Sequence, residues 1–205
     1  MITQIEGKLV EKNPAYVVID CSGLGYLVNV SLNTYSKIST VNPGEKCKLF
    51  THLSIQENVH TGETVQSLYG FFDVQERILF RNLVSVSGIS SSKAKMILST
   101  LSPAETQKAI LIGDVRTLST VKGIGPKVAE RIIAELRSKL GKEEFGSDNF
   151  SAYPAGNKNK EEALFALTSL GFDKISIQKV LRKVAEEKGV DISVEELVKT
   201  SLKHL

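Results

Sequence analysis

The strongest constraint in this 205-residue sequence is an internal repeat. Residues 83–98 return as residues 118–133 at a fixed offset of 35, with identities at Leu83/Leu118, Val86/Val121, Gly88/Gly123, Ile89/Ile124, Ala94/Ala129 and Ile97/Ile132. Each copy reads apolar-x-Gly-apolar-x, then a helix start, then a small residue in the first turn. The glycine ends a short helix, because without a Cβ it takes φ > 0 at no steric cost. The chain turns sharply and a second helix begins. Its first N–H groups have no partner within the helix and carry the positive end of its dipole. Facing outward at the hairpin, they suit a phosphate oxygen. Ile89 and Ile124 anchor the two turns in the core, and Ala94 and Ala129 let the paired helices approach closely.

The copies differ in strength. The second, Lys122-Gly123-Ile124-Gly125-Pro126-Lys127, places a lysine on either side of the turn. In the first, Ser90 stands where the second has Gly125, and Ser91-Ser92 stand for Pro126-Lys127. Gly88, Ile89, Ser90, Ser91, Ser92 and Lys93 form the corresponding site, with Lys95 following. Serine still offers a hydroxyl and an N–H, so this hairpin is expected to bind, more weakly. Nothing in either copy reads base edges, so binding is expected to be sequence-independent and salt-sensitive. Charge agrees: residues 65–142 hold twelve Lys and Arg against six Asp and Glu, while residues 1–64, 143–157 and 158–205 carry net charges of −1, −3 and +1. Positive charge confined to one segment marks a polyanion-binding surface.

Around the repeat, the hydrophobic period sets the organisation. Residues 1–64 read as short strands rich in β-branched and aromatic residues, at 5–10, 16–20, 25–30 and 47–55, with turns at Asn13-Pro14 and Ser22-Gly23. A fifth run, 67–71, is placed to close the sheet. Such a set fits a small barrel, an OB-fold or an SH3-like one. From Asp73 the period becomes helical. Asp73 is expected to cap a helix with Glu76 as its box partner, Ser102-Pro103-Ala104-Glu105 opens another, Asp114 caps a short one, and Pro126 opens a longer one that stops at Gly141. Residues 65–142 are thus a tandem helix-hairpin-helix segment of about five helices. Residues 143–157 carry Gly, Ser, Asn and Pro without an apolar period and read as a flexible linker. Residues 158–205 return to helical spacing and form a three-helix mini-domain, with stops at Gly171 and Gly189. The whole is an α+β multidomain chain.

Several chemistries find no support. No apolar run reaches the ~20 residues of a membrane span, and the N-terminus lacks a signal-peptide pattern. Cys21 and Cys47 have neither C-x-x-C spacing nor a nearby histidine, so two buried thiols in a reducing cytoplasm are expected rather than zinc or a disulfide. His52, His60 and His204 are scattered, no acidic cluster suggests a two-metal site, and no phosphate loop of the ATPase type is present. No catalytic residue, metal or cofactor is expected. The rival is a helix-hairpin-helix repair enzyme or nuclease subunit. A glycosylase of that kind needs a catalytic Asp or Lys just after the hairpin, where only the polar linker follows. A single-strand-binding OB protein would expose aromatics, whereas Tyr16, Tyr26 and Phe50 alternate as core residues would.

Over nearly its whole length the chain resembles the RuvA family, the DNA-binding subunits of the bacterial Holliday junction branch migration complex. The resemblance is carried by Met1-Ile2-x-x-Ile5-x-Gly7, Gly23-x-Gly25-Tyr26, Leu49-Phe50-Thr51-His52, Leu68-Tyr69-Gly70-Phe71, Gln75-Glu76-Arg77-x-Leu79-Phe80, Leu118-x-x-Val121-x-Gly123-Ile124-Gly125-x-Lys127-x-Ala129-Glu130-Arg131 and Ala163-Leu164-x-Ala166-Leu167-x-x-Leu170-Gly171-Phe172. It implies an N-terminal OB-fold, a C-terminal three-helix UBA-like domain, and a homotetramer, single or doubled, on four-way junction DNA. It also implies a separate hexameric ATPase motor, RuvB, and the resolvase RuvC as partners, with ATP used by the motor alone. In the family, two adjacent acidic residues on a loop of the first domain form a pin at the junction crossover. Here those positions are Glu57 and Asn58, with Glu63 further along a longer loop as a second acidic candidate. Leu167, Leu170, Phe172 and Leu202 match the family's apolar contact surface for the motor. Leu170 and Phe172, flanking Gly171, are expected to be exposed.

Overall fold

The computed structural model describes residues 2–57, 62, 64–142, 155–188 and 192–205. It divides into two compact units, Met1–Phe145 and Gly146–Leu205. Among the described residues, no helix is long and apolar enough to cross a membrane.

The first unit opens with β1 (Gln4–Asn13), β2 (Tyr16–Cys21), β3 (Leu24–Val30), α1 (Leu32–Lys37), β4 (Lys46–Glu57) and β5 (Thr64–Phe71). The strands close a barrel in the order β1-β2-β3-β5-β4, with β3 and β5 parallel and every other pairing antiparallel. This order, with a helix between β3 and β4, is the OB-fold arrangement and decides against an SH3-like barrel. Closure depends on β1, which pairs with β4 through Gln4–Lys8 and with β2 through Lys8–Asn13, with a bulge at Leu9/Glu11. Gly7 lies at that crossing, where a Cβ would come within 2.1 Å of the Asp20 carbonyl oxygen. Only glycine permits that approach. Leu9, Val17, Ile19, Val28, Ile38 and Leu49 fill the barrel. Cys47 belongs to this core as expected, but Cys21, at the strand end, is only half-buried and donates to the Glu6 carbonyl.

Strand β5 is buried on both faces towards its end. Leu68 points into the barrel, while Tyr69 and Phe71 pack with Phe80 at ring centroid distances of 5.1 and 4.9 Å. Phe80 belongs to α2 (Val74–Val84), the first of five helices, followed by α3 (Ser91–Thr100), α4 (Pro103–Ile112), α5 (Val115–Ser119) and α6 (Pro126–Lys142). The caps form where the sequence places them: Asp73 accepts from the Glu76 N–H, Ser102 and Glu105 form a full capping box, and Asp114 caps α5. Two features differ from expectation. Gly141 does not stop α6, which runs to Lys142. Glu76 does not complete a box with Asp73. Its carboxyl is fully buried, accepting from Ser31 Oγ and, at 2.7 Å, from Thr34 Oγ1 of α1. Burial raises its pKa, partly offset by these two hydroxyl donors.

In the second unit the described helices are α7 (Ala155–Ser169), α8 (Lys174–Lys188) and α9 (Val194–Ser201), around Ala163, Leu167, Ile177, Leu181, Val184, Ile192 and Leu197. Helix α7 begins at Ala155, inside the segment read as linker. Residues 143–154 and the expected stop at Gly189 lie outside the described residues.

Candidate nucleic-acid interface

The two copies of the repeat adopt the same local geometry. Gly88 and Gly123 both have φ of +86°. The Ile89 N–H bonds to the Val86 carbonyl at 3.1 Å, and the Ile124 N–H to the Val121 carbonyl at 3.0 Å. The five identical pairs other than the glycines are all buried, from Leu83 and Leu118 to Ile97 and Ile132. Identity in sequence is thus identity of role: the glycine turns the chain, the isoleucine returns it to the core, and the alanine lies against the partner helix. The hairpins are also tied together. Arg131, one turn into α6, donates to the Ser87 carbonyl of the first hairpin at 3.2 Å.

Their outward faces differ. At the second hairpin, Lys122, Gly123, Gly125, Pro126 and Lys127 are exposed, and a Cβ added to Gly125 would meet nothing within 4 Å. The N–H groups of Val128 and Ala129 turn to the Gly125 carbonyl, and Pro126 has none, which leaves the Gly125 and Lys127 N–H groups at the tip. At the first hairpin, Ser90 is the N-cap of α3 and its hydroxyl already accepts from the Lys93 N–H. Lys93 folds back so that Nζ donates to the Gly88 carbonyl at 3.1 Å. Ser91 is buried, its hydroxyl 2.9 Å from Ser54 Oγ of β4, so only its backbone is placed for an outside ligand. Ser92 is exposed. Lys95, read with the basic residues of this site, instead docks on the barrel through the Ala15 carbonyl and Asn29 Oδ1, and burial lowers its pKa.

Glu57 ends β4, exposed and paired with Thr64 of β5. Asn58 and Glu63 lie outside the described residues. Among the aromatics expected in the core, Tyr16, Tyr26 and Phe50 are half-buried. Tyr16 donates to Glu11, and Lys48 and Arg77 each lie over the Phe50 ring, at 5.4 and 5.5 Å from its centroid.

In the second unit, Leu170 is 61% exposed and Leu202 42% exposed. Leu167 is fully buried, and Phe172 is half-buried against the core, so both belong mainly to packing. Phe165, 75% exposed, and Ile175, 65% exposed, were not singled out by sequence. A helical wheel centred on the buried Ala163 and Leu167 would have found Phe165 on the opposite face.

Family models match along the chain: the RuvA N terminal domain over residues 1–70, a SAM-like helix-hairpin-helix tandem over 80–138, and the RuvA C-terminal domain over 158–205. The chain belongs to the RuvA family. Relatives named as Holliday junction branch migration complex subunit RuvA align along their full length and the full length of this chain. They include those of Christiangramia forsetii at 44% identity, Flavobacterium psychrophilum at 45% and Bacteroides fragilis at 44%. The match over 1–70 takes in nearly all of β5, in keeping with its place in the barrel.

Proposed function

We propose that this chain is the junction-binding subunit of a RuvAB-type branch migration complex acting in DNA recombination and repair. The observation that carries the reading is the pair of hairpins with matched backbone geometry, joined through Arg131, in the one strongly basic segment. Two linked hairpins give each protomer two holds on a phosphate backbone, the open second one being the stronger. A homotetramer would present four such pairs to the four arms of a junction, a match of symmetry between protein and DNA. Glu57, beside the crossover, would repel phosphates there and help part the strands. The chain acts as a cytoplasmic adaptor without a catalytic site or cofactor of its own. The exposed Leu170 and Leu202 surface of the second unit would receive the RuvB motor, whose ATP drives migration, and RuvC would act on the same junction.

The test is a titration with a mixed-sequence four-way junction, a linear duplex and a single strand at two salt concentrations. The expected result is tightest binding to the junction, weakening as salt rises. Equal affinity for junction and linear duplex would overturn the reading.

A further inference from the structure

We propose that Ser91 is a positioning residue that couples the first hairpin to the acidic strand end at Glu57, and so contributes to junction preference rather than to grip. The inference rests on the junction-binding reading above. The serines of the first hairpin resemble a worn copy of the second hairpin's Gly-Pro-Lys, yet two of the three have a specific partner. Ser90 caps α3, and Ser91 reaches across 37 residues of sequence to Ser54. Both hydroxyls of that contact are buried, so each is the other's replacement for water. Ser54 lies three residues before Glu57 on the same strand, about 10 Å along it. The ladder to β5 is unbroken from Ser54↔Ser67 to Glu57↔Thr64, which makes that stretch of β4 a stiff arm. A force on the first hairpin therefore reaches Glu57 through one hydrogen bond and one short paired segment. The second hairpin has no equivalent: Pro126 occupies the matching position and carries no hydroxyl. The two copies have divided the work unequally: the second is the stronger hold on phosphate, and the first, beside its weaker hold, sets where the acid stands relative to the held arm.

The experiment measures the ratio of junction to linear-duplex affinity for the full chain. Ser91→Ala, which removes only the buried hydroxyl and keeps the backbone that faces an outside ligand, is expected to lower this ratio about five-fold, the scale of one buried hydrogen bond. Ser54→Ala, which approaches the contact from the barrel side, is expected to do the same, and the double variant to fall no further. Glu57→Gln should lower the same ratio, and Ser91→Ala added to it should have no additional effect. Thr100→Ala, on the exposed side of α3, is the control for surface changes on that helix. An unchanged ratio in Ser91→Ala and Ser54→Ala would overturn the proposal. So would a parallel fall in both affinities, or additive losses with Glu57→Gln. Absence of junction preference in the unaltered protein would instead refute the functional reading, and this proposal with it, before any variant is made.

Discussion

Replacing Gly125 by alanine separates the phosphate-binding role of the second hairpin from its role in the fold. The backbone at Gly125 is not left-handed, and the added methyl would meet no protein atom within 4 Å. The cost to stability is then only that of a poorer residue at a helix start, about 0.5–1 kcal/mol, too small to unfold a domain worth some 5–15 kcal/mol. The methyl does occupy the open space through which a phosphate oxygen must come to within about 2.9 Å of the exposed N–H groups. Losing one charge-assisted hydrogen bond there costs about 1.5–3 kcal/mol, or roughly ten- to hundred-fold in affinity per site. Urea denaturation would measure the first quantity, and duplex titration at fixed salt the second. Gly123→Ala provides the contrast. It too meets open space, but at φ +86° it forces a side chain into the left-handed region at about 1–2 kcal/mol. A Gly125→Ala protein that binds duplex as tightly as the parent would show that phosphate is not taken at this tip, and the assignment of the hairpin would fail.

Other consequences are equally direct. Lys122→Ala and Lys127→Ala should each reduce the slope of log affinity against log salt by about 0.9, measured on linear duplex; an unchanged slope means the lysine does not neutralise a phosphate. Glu76, whose pKa is raised chiefly by burial, binds its proton more tightly folded than unfolded. Its effect on stability is therefore unfavourable above its folded pKa and is relieved as pH falls towards the unfolded value near 4.5. Denaturation across that window should show the parent gaining on Glu76→Gln as pH drops, and the opposite sign would mean the Ser31 and Thr34 hydroxyls outweigh burial. Leu167→Ala should cost the second unit about 2–5 kcal/mol. Leu170→Ser should leave its thermal midpoint nearly unchanged while weakening capture of a RuvB hexamer; equal losses of stability would place Leu170 in the core.

What was legible in the sequence depended on how local the cause is. The hairpins were readable because six identities at one offset occupy positions that the turn itself constrains. Strands and caps were readable for the same reason, since each rests on neighbours a few residues away. Barrel closure by the 67–71 run was readable only in outline, and the choice between an OB-fold and an SH3-like order was not, because the parallel pairing of Val28 with Leu68 spans forty residues and leaves no periodic trace. Helix α1 was missed: six residues of Leu-Asn-Thr-Tyr-Ser-Lys carry no apolar stripe, although Ser31 was a visible N-cap. Glu76 and Ser91 show the limit most clearly. Asp-x-x-Glu is the pattern of a capping box and also of a buried acceptor, and a serine at a hairpin suits phosphate or a neighbouring strand. The deciding partners, Thr34 and Ser54, are remote in sequence.

Strand β5 carries a practical consequence for dissecting the molecule. Its alternate side chains serve two cores, Leu68 the barrel and Tyr69 and Phe71 the helices. A cut at residue 64, where the first domain was expected to end, would remove the barrel's closing strand and leave the helical fragment carrying it as an unpaired edge. A cut after Phe71 would instead strip the helices of two aromatic neighbours of Phe80. Neither half is a self-sufficient product of expression, so the smallest piece that can report on the hairpins runs from the N-terminus to the end of α6.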